Sequence, residues 1–223
     1  MTTKREEELL VSVSLMSGAA TLVPLPVVGD LFAAGLRRTL VERLARGRGV
    51  AISPKAAGHI AGDPLKLGAA APAALGRLGW RRLARSLSWI LRVDEAAMTY
   101  LLGLYVLHYL ESHHVTGTPI DDARGEAIAA AIARARRGAR FDLLFKLTRD
   151  ALAAAGSQIS GMALSALAAA RALVTRSKRD AADIATERVP PEAVSAARSA
   201  LDHARTTLRE GVAASFDAAW VAG

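Results

Sequence analysis

Apolar residues along this chain recur at helical spacing, three or four positions apart, and no stretch alternates apolar and polar residues as a strand does. Leu36, Leu40 and Leu44 form one such ladder. The pattern predicts an all-α protein, a single bundle of about seven to nine helices. We expect one helical domain over residues 1–223, with a division into an N-terminal part, 1–62, and a bundle, 73–223, as the alternative.

The first apolar block runs over residues 9–23 and is followed by two prolines, which separate it from the next apolar residues. Between Glu8 and Asp30 lie 21 uncharged residues, which is close to the length of about 20 that a membrane span needs. Because prolines remove backbone donors, the block predicts two short helices joined by a turn, the second starting near Val27. The residues assigned to this hairpin turn are Pro24, Pro26, Gly29 and Asp30. The pattern leaves open whether residues 9–32 enter a bilayer or a protein core.

Residues 73–92 predict an amphipathic helix with one apolar and one strongly basic face. Such a helix is typical of contact with an anionic membrane surface. The residues assigned to lipid or partner contact are Arg77, Trp80, Arg81, Arg82, Arg85 and Trp89. A separate, mostly apolar helix is expected to open at Asp94, as a possible N-cap, and to continue to Glu111.

The remaining helices are marked by their caps. Ser53 and Pro54 suit the start of a short helix. Further helices are expected over 118–137, 141–174 and 191–220. In the second of these, small residues at a spacing of four suit close helix packing. These small residues are Ser157, Gly161 and Ser165.

The positive charge is concentrated in one quarter of the chain. The formal net charge is +8 and the mean hydropathy +0.23. Residues 37–92 hold twelve basic and two acidic residues, whereas residues 93–223 hold fifteen of each. Codon bias towards arginine does not explain this segregation, so the block indicates a polyanionic or membrane partner.

The residues that carry chemistry in common enzyme motifs are missing. No phosphate-binding loop, dinucleotide fingerprint, nucleophile elbow or zinc-protease motif occurs, and cysteine is absent. His108, Glu111, His113 and His114 could gather around a metal at a helix end, but we favour a histidine helix cap there. We therefore expect no enzyme activity, no cofactor and no metal. The net negative start at residues 4–8 predicts no secretory signal.

A resemblance covers about residues 9–53. There an apolar small-residue helix is followed by Val-Pro-Leu-Pro-Val-Val-Gly-Asp and by a second apolar helix ending in Arg-Leu-Ala-Arg-Gly-Arg-Gly-Val. This stretch resembles the uncharacterised helical membrane-associated domains of bacteria of the YcjF and EcsC types. The resemblance implies membrane association and no particular activity.

These observations favour a protein that binds an anionic membrane surface, at the cytoplasmic face of the membrane, and acts as an adaptor or scaffold. One alternative is a soluble helical bundle that self-assembles or binds a protein partner. Nucleic-acid binding through the basic block ranks below both, because aromatic residues for base stacking are few. A homo-oligomer is compatible with the first two readings.

Overall fold

The computed structural model describes residues 3–20, 26–62, 80–154 and 181–222. In these ranges the chain forms eight α-helices and no strand, which confirms the predicted all-α bundle. The helices are α1 (Lys4–Ala20), α2 (Pro26–Gly47), α3 (Pro54–Ala61), α4 (Trp80–Ser112), α5 (Asp122–Ala135), α6 (Ala139–Ala154), α7 (Ala181–Arg188) and α8 (Pro191–Val221). One contiguous hydrophobic core contains residues of all eight.

Helix α1 contains most of the first apolar block, residues 9–23, and buries it inside the protein. Every residue from Leu10 to Ala20 is buried, and the helix packs against α4 and α2. Two of its buried hydroxyls form hydrogen bonds: Ser14 donates to the Leu10 carbonyl at 2.7 Å, and Ser17 accepts one from Thr99 at 3.0 Å. None of the described helices combines the length and apolarity needed to cross a membrane.

Helix α2 begins at Pro26, one residue before the predicted start. Proline is favoured at the first helical position, where its missing N–H would have no partner anyway. Gly29 and Asp30 therefore belong to the helix, and their assignment to the hairpin turn is wrong. Pro24, the other residue of the predicted turn, lies outside the described residues.

The ladder of leucines in α2 is confirmed as its core face. Leu36, Leu40 and Leu44 are all fully buried, and Phe32 at the start of the ladder is nearly so. After Gly47 the chain turns through Gly49, whose φ of +70° is a left-handed conformation that glycine adopts without strain.

Helix α3 starts as its capping sequence predicts. The Ser53 hydroxyl accepts the Ala56 N–H at 3.0 Å and donates to the Asp122 carboxylate of α5. Beside it, Ile52 and Ile120 form an isolated bridge, in which the Ile120 N–H donates to the Ala51 carbonyl at 2.8 Å. Ser53 thus caps one helix and fastens it to another.

Replacing Ser53 by alanine is expected to lower the free energy of unfolding by about 1 kcal/mol, since it leaves a helix N–H without its cap. Ser53→Thr keeps the hydroxyl and should retain most of the stability. Ser195→Ala, at an exposed position inside α8, serves as the control and should cost nothing measurable. Urea unfolding followed by circular dichroism measures all three; equal stability of Ser53→Ala and wild type would contradict the capping role.

Helix α4 is continuous from Trp80 to Ser112, so the helix start predicted at Asp94 is wrong. No glycine or proline lies between residues 80 and 102 to interrupt it. The neighbouring Glu95 has a tertiary role instead, because it forms an ion pair with Arg37 and accepts a hydrogen bond from Ser17 at 3.0 Å. Apolar residues from Val93 to Leu110 put α4 at the centre of the core.

The C-terminal helices follow their predicted order with shifted ends. Helix α5 begins at Asp122 rather than near residue 118, and Asp121 caps it by accepting the Arg124 N–H at 2.8 Å. Helix α6 begins two residues before its predicted start. The small residues Ser157, Gly161 and Ser165 lie outside the described residues. Helix α8 matches its prediction, with its apolar stripe buried from Ala193 to Ala219.

Candidate functional site

The residues predicted to contact lipid lie at the edge of what the structure describes. Arg77 lies outside the described residues. The other five fall in the first three turns of α4, where the description covers the backbone alone. They are Trp80, Arg81, Arg82, Arg85 and Trp89. The predicted helix is thus present over residues 80–92.

Ion pairs compensate the first half of the basic block. Residues 37–62 hold six basic and one acidic residue, net +5. Five of the six cations pair with carboxylates, and five of those carboxylates come from outside the block. The pairs are Arg37–Glu95, Arg38–Glu42, Arg43–Asp183, Arg48–Glu6, Arg48–Glu111 and Lys55–Asp122. The segment 63–92, which also holds six basic and one acidic residue, carries the other half of the excess.

A histidine–aspartate cluster joins the ends of α4 and α8. One oxygen of Asp217, Oδ1, lies 2.6 Å from His108 Nε2 and 2.7 Å from His113 Nε2. Because an ionised carboxylate only accepts, each imidazole donates its Nε2 proton to it. The two histidine side chains are 16% and 20% exposed, and that of Asp217 is 49% exposed. Three polar side chains therefore converge on one point that solvent can reach.

The end of α4 places the two histidines on the same side. His108 lies in the last turns of the helix, and His113 follows its last residue, Ser112. The N–H groups of His113 and His114 both donate to the Tyr109 carbonyl, at 2.9 and 3.0 Å, which turns the chain back. The imidazoles consequently meet edge to face with ring centroids 5.6 Å apart.

Aromatic rings surround the cluster on its protein side. Phe216 is fully buried, and Trp220 stacks on it at 5.6 Å. Tyr109 stacks on His113, whose ring also lies 5.6 Å from Trp220. Such a shell lowers the local dielectric, which strengthens charge interactions at the cluster.

Arg124 of α5 closes this shell from outside. Its guanidinium lies over the Trp220 ring at 4.9 Å and over the Tyr109 ring at 5.7 Å, both in cation–π range. Its Nε donates to the Tyr109 hydroxyl at 2.9 Å. The rings that support His113 are therefore held between three helices.

The electrostatics of the cluster favour a charged Asp217. Burial would raise the pKa of the Asp217 carboxyl, but hydrogen bonds from His108 and His113 outweigh it and hold that pKa below its ordinary value. The cluster thus combines one carboxylate with the side chains of two histidines. Such a set can hold a proton or bind a cation.

Sequence reasoning found only part of this cluster. It grouped His108 and His113 with Glu111 and His114, whereas the structure brings the two histidines to Asp217, which is 109 residues from His108 in the chain. No local spacing indicates that contact. Glu111 instead pairs with Arg48 at 2.8 Å. His113, predicted as part of a helix cap, is partly buried and donates a hydrogen bond to the Asp217 carboxylate.

A cleft of about 260 Å³ adjoins the cluster on the His108 side. Leucine, valine and alanine side chains of α4 and α8 line it, together with His108 and three charged side chains. The charged lining residues are Glu111, Arg209 and Glu210. The cleft gives solvent and small ions access to the neighbourhood of His108.

Comparison with known proteins identifies no relative of this chain. No protein-family model matches the chain, and no curated protein and no solved structure matches it either.

Proposed function

We propose that this protein is a non-catalytic helical adaptor or scaffold that associates with an anionic membrane surface through segment 63–92. The observation that carries the proposal is the concentration of positive charge in this segment, where six basic residues and one acidic residue lie among 30 positions. The cations of residues 37–62 are largely paired with carboxylates from other helices. Segment 63–92 holds the other net +5, with Trp80 and Trp89 among its arginines.

The chemistry of this segment fits an interface between lipid and water. Tryptophan is enriched at that level of a bilayer, since its ring is apolar and its N–H is polar. Each arginine near an anionic surface contributes about 1 kcal/mol to binding. In this proposal the cytoplasmic face of the membrane is the target, where anionic lipids are concentrated.

A protein partner or a second copy of the chain is the second candidate. It is compatible with α1, whose residues from Leu10 to Ala20 are already buried against α2 and α4. The apolar residues of α1 are thus covered by other helices and need no bilayer to cover them. In the membrane proposal, contact with lipid accordingly belongs to the basic segment and not to α1.

Vesicle sedimentation tests the proposal directly. The full chain is mixed at low salt with vesicles of neutral lipid alone and of neutral plus anionic lipid. We expect binding to the anionic vesicles only, weakening as salt rises. Changing Arg77, Arg81, Arg82 and Arg85 together to glutamine should weaken that binding at least tenfold, since each contributes about 1 kcal/mol.

The matched control removes the same charge elsewhere. Arg137, Arg140, Lys146 and Arg188 are exposed and lie outside the basic block, so their replacement by glutamine lowers the net charge equally. We expect this variant to bind as wild type does. Equal binding to both kinds of vesicle, or equal loss in both variants, would overturn the proposal. Salt-sensitive retardation of DNA without vesicle binding would favour a nucleic-acid partner instead.

A further inference from the structure

We propose that His108, His113 and Asp217 form a binding site for one divalent transition-metal ion, with Zn²⁺ as the best match. The three ligand atoms lie within 4.8 Å of one another. Two imidazole nitrogens and one carboxylate oxygen are a ligand set that zinc accepts with three protein ligands and an open position. Calcium and magnesium prefer sites built from oxygen alone. The proposal is independent of lipid binding.

In the structure the three side chains are joined by hydrogen bonds from the two imidazoles to one carboxylate oxygen. A tetrahedral zinc ion with ligands at about 2.0 to 2.1 Å separates neighbouring ligand atoms by about 3.3 Å. The Nε2–Oδ1 separations of 2.6 and 2.7 Å must therefore widen by about 0.7 and 0.6 Å. Asp217 is 49% exposed and lies near the end of α8, so its side chain has room to move.

Metal binding requires a change of tautomer at both histidines. Each Nε2 now donates a proton to Asp217 Oδ1, and a metal ligand must offer a lone pair there instead. In neutral imidazole the proton then lies on Nδ1. The carboxylate loses two hydrogen bonds and gains a bond to the cation, so one positive ion takes the place that two N–H groups occupy.

The surroundings suit a bound cation. The ligands come from the last turns of α4, from the turn that follows it and from α8. The stacked rings of Tyr109, Phe216 and Trp220 pack against the histidine side of the site. Three protein ligands leave coordination positions for water or a further ligand. The cleft beside His108, with the carboxylates of Glu111 and Glu210 and the guanidinium of Arg209 in its lining, provides a path for the ion.

Titration of the full chain, without a polyhistidine tag and stripped of metal by chelator and dialysis, tests the site. Calorimetry with Zn²⁺ should give one equivalent per chain. Co²⁺ should give the intense visible bands of a low-coordinate site. Zn²⁺ should also raise the thermal midpoint of the wild type, since the ion binds the folded state.

Asp217→Asn and His113→Gln should each weaken Zn²⁺ binding more than tenfold and abolish the rise in thermal midpoint. The controls are Asp202→Asn and His203→Gln, the same exchanges at exposed positions of α8, which should bind as wild type does. Circular dichroism checks that each variant is folded. If His113→Gln does not fold, Asp217→Asn decides the test, because the Asp217 side chain is 49% exposed. Absence of saturable Zn²⁺ binding, or equal affinity in Asp217→Asn and wild type, would show a purely structural hydrogen-bonded cluster and overturn the proposal.

Discussion

Replacing Arg48 by methionine is expected to lower the free energy of unfolding by about 2 to 3 kcal/mol at pH 7, between the values for exposed and buried ion pairs. Arg48 follows the end of α2 and bonds to Glu6 of α1 at 2.5 Å and to Glu111 of α4 at 2.8 Å. The Glu6 side chain is only 9% exposed. Without Arg48, this carboxylate remains buried and loses its cation, which is why the loss exceeds that of a surface pair.

The pH dependence of this effect has a definite sign. Burial alone would raise the pKa of Glu6, but hydrogen bonds from Arg48 and Thr3 and the charge of Arg48 hold it below its ordinary value of 4.5. A lowered pKa in the folded state contributes stability above the unfolded pKa, and that stability is lost as pH falls through the folded value. The difference between wild type and Arg48→Met should therefore shrink as pH falls below about 4.5.

Denaturant unfolding between pH 3 and pH 7 measures both effects. Arg38→Met is the control, since Arg38 pairs with Glu42 one turn away and its side chain is 49% exposed; it should cost no more than about 0.5 kcal/mol. Adding Glu6→Gln to Arg48→Met should restore part of the stability, because the uncompensated charge is then gone. Similar losses for Arg48→Met and Arg38→Met would contradict the buried pairing.

Helices α3 and α8 were predicted correctly from patterns of residues that are neighbours on a helix. Ser53 with Pro54 begins α3, and the periodic apolar stripe that ends at Phe216 defines α8. Both depend on neighbours three or four residues apart, which a sequence displays directly. Thr3 and Glu6 also lie three residues apart, but this pair was not recognised in the sequence. The Thr3 N–H donates to Glu6 at 2.6 Å and the Glu6 N–H donates to Thr3 at 3.2 Å, a capping box at the start of α1.

Errors arose where a residue's partner lies on another helix. Asp94 and Glu95 looked like a helix start, yet Glu95 is in mid-helix and pairs with Arg37. The basic block predicts contact with an anionic partner, but the sequence does not show that within it Arg43 pairs with Asp183 at 2.6 Å. The pattern along a chain shows the charge of each residue but not the carboxylate that the fold places beside it.

The histidine cluster shows the same limit for the candidate site. His108 and His113 lie close in sequence and were recognised as possible ligands. Asp217 completes the cluster only because α8 packs along α4 and ends beside it. The residues of the basic helix, by contrast, are grouped by local periodicity, and their assignment to lipid contact stays a prediction.

Adding a single methyl group at Gly125 is expected to cost about 2 to 3 kcal/mol of unfolding free energy. At this position α5 crosses α3 at close range. A Cβ atom on residue 125 would lie 2.5 Å from the Ala56 Cα and 2.6 Å from the Ala56 Cβ. These contacts are shorter than real Cβ atoms show, and a backbone atom cannot turn aside as a side chain can. The two helices would have to move apart, which also strains the bond between Ser53 and Asp122.

Alanine variants at two other helical glycines distinguish the steric clash at Gly125 from the general effect that alanine has on helix stability. Gly58 of α3 has open space where a Cβ would stand, so Gly58→Ala should stabilise the protein by up to about 1 kcal/mol. At Gly211 the Cβ would meet the Leu144 side chain at 2.5 Å, and since that side chain can rotate, Gly211→Ala should fall between the other two. Urea unfolding of the three variants should thus rank Gly58→Ala above Gly211→Ala, with Gly125→Ala the least stable. Gly125→Ala as stable as wild type would show that α3 and α5 do not approach this closely in solution.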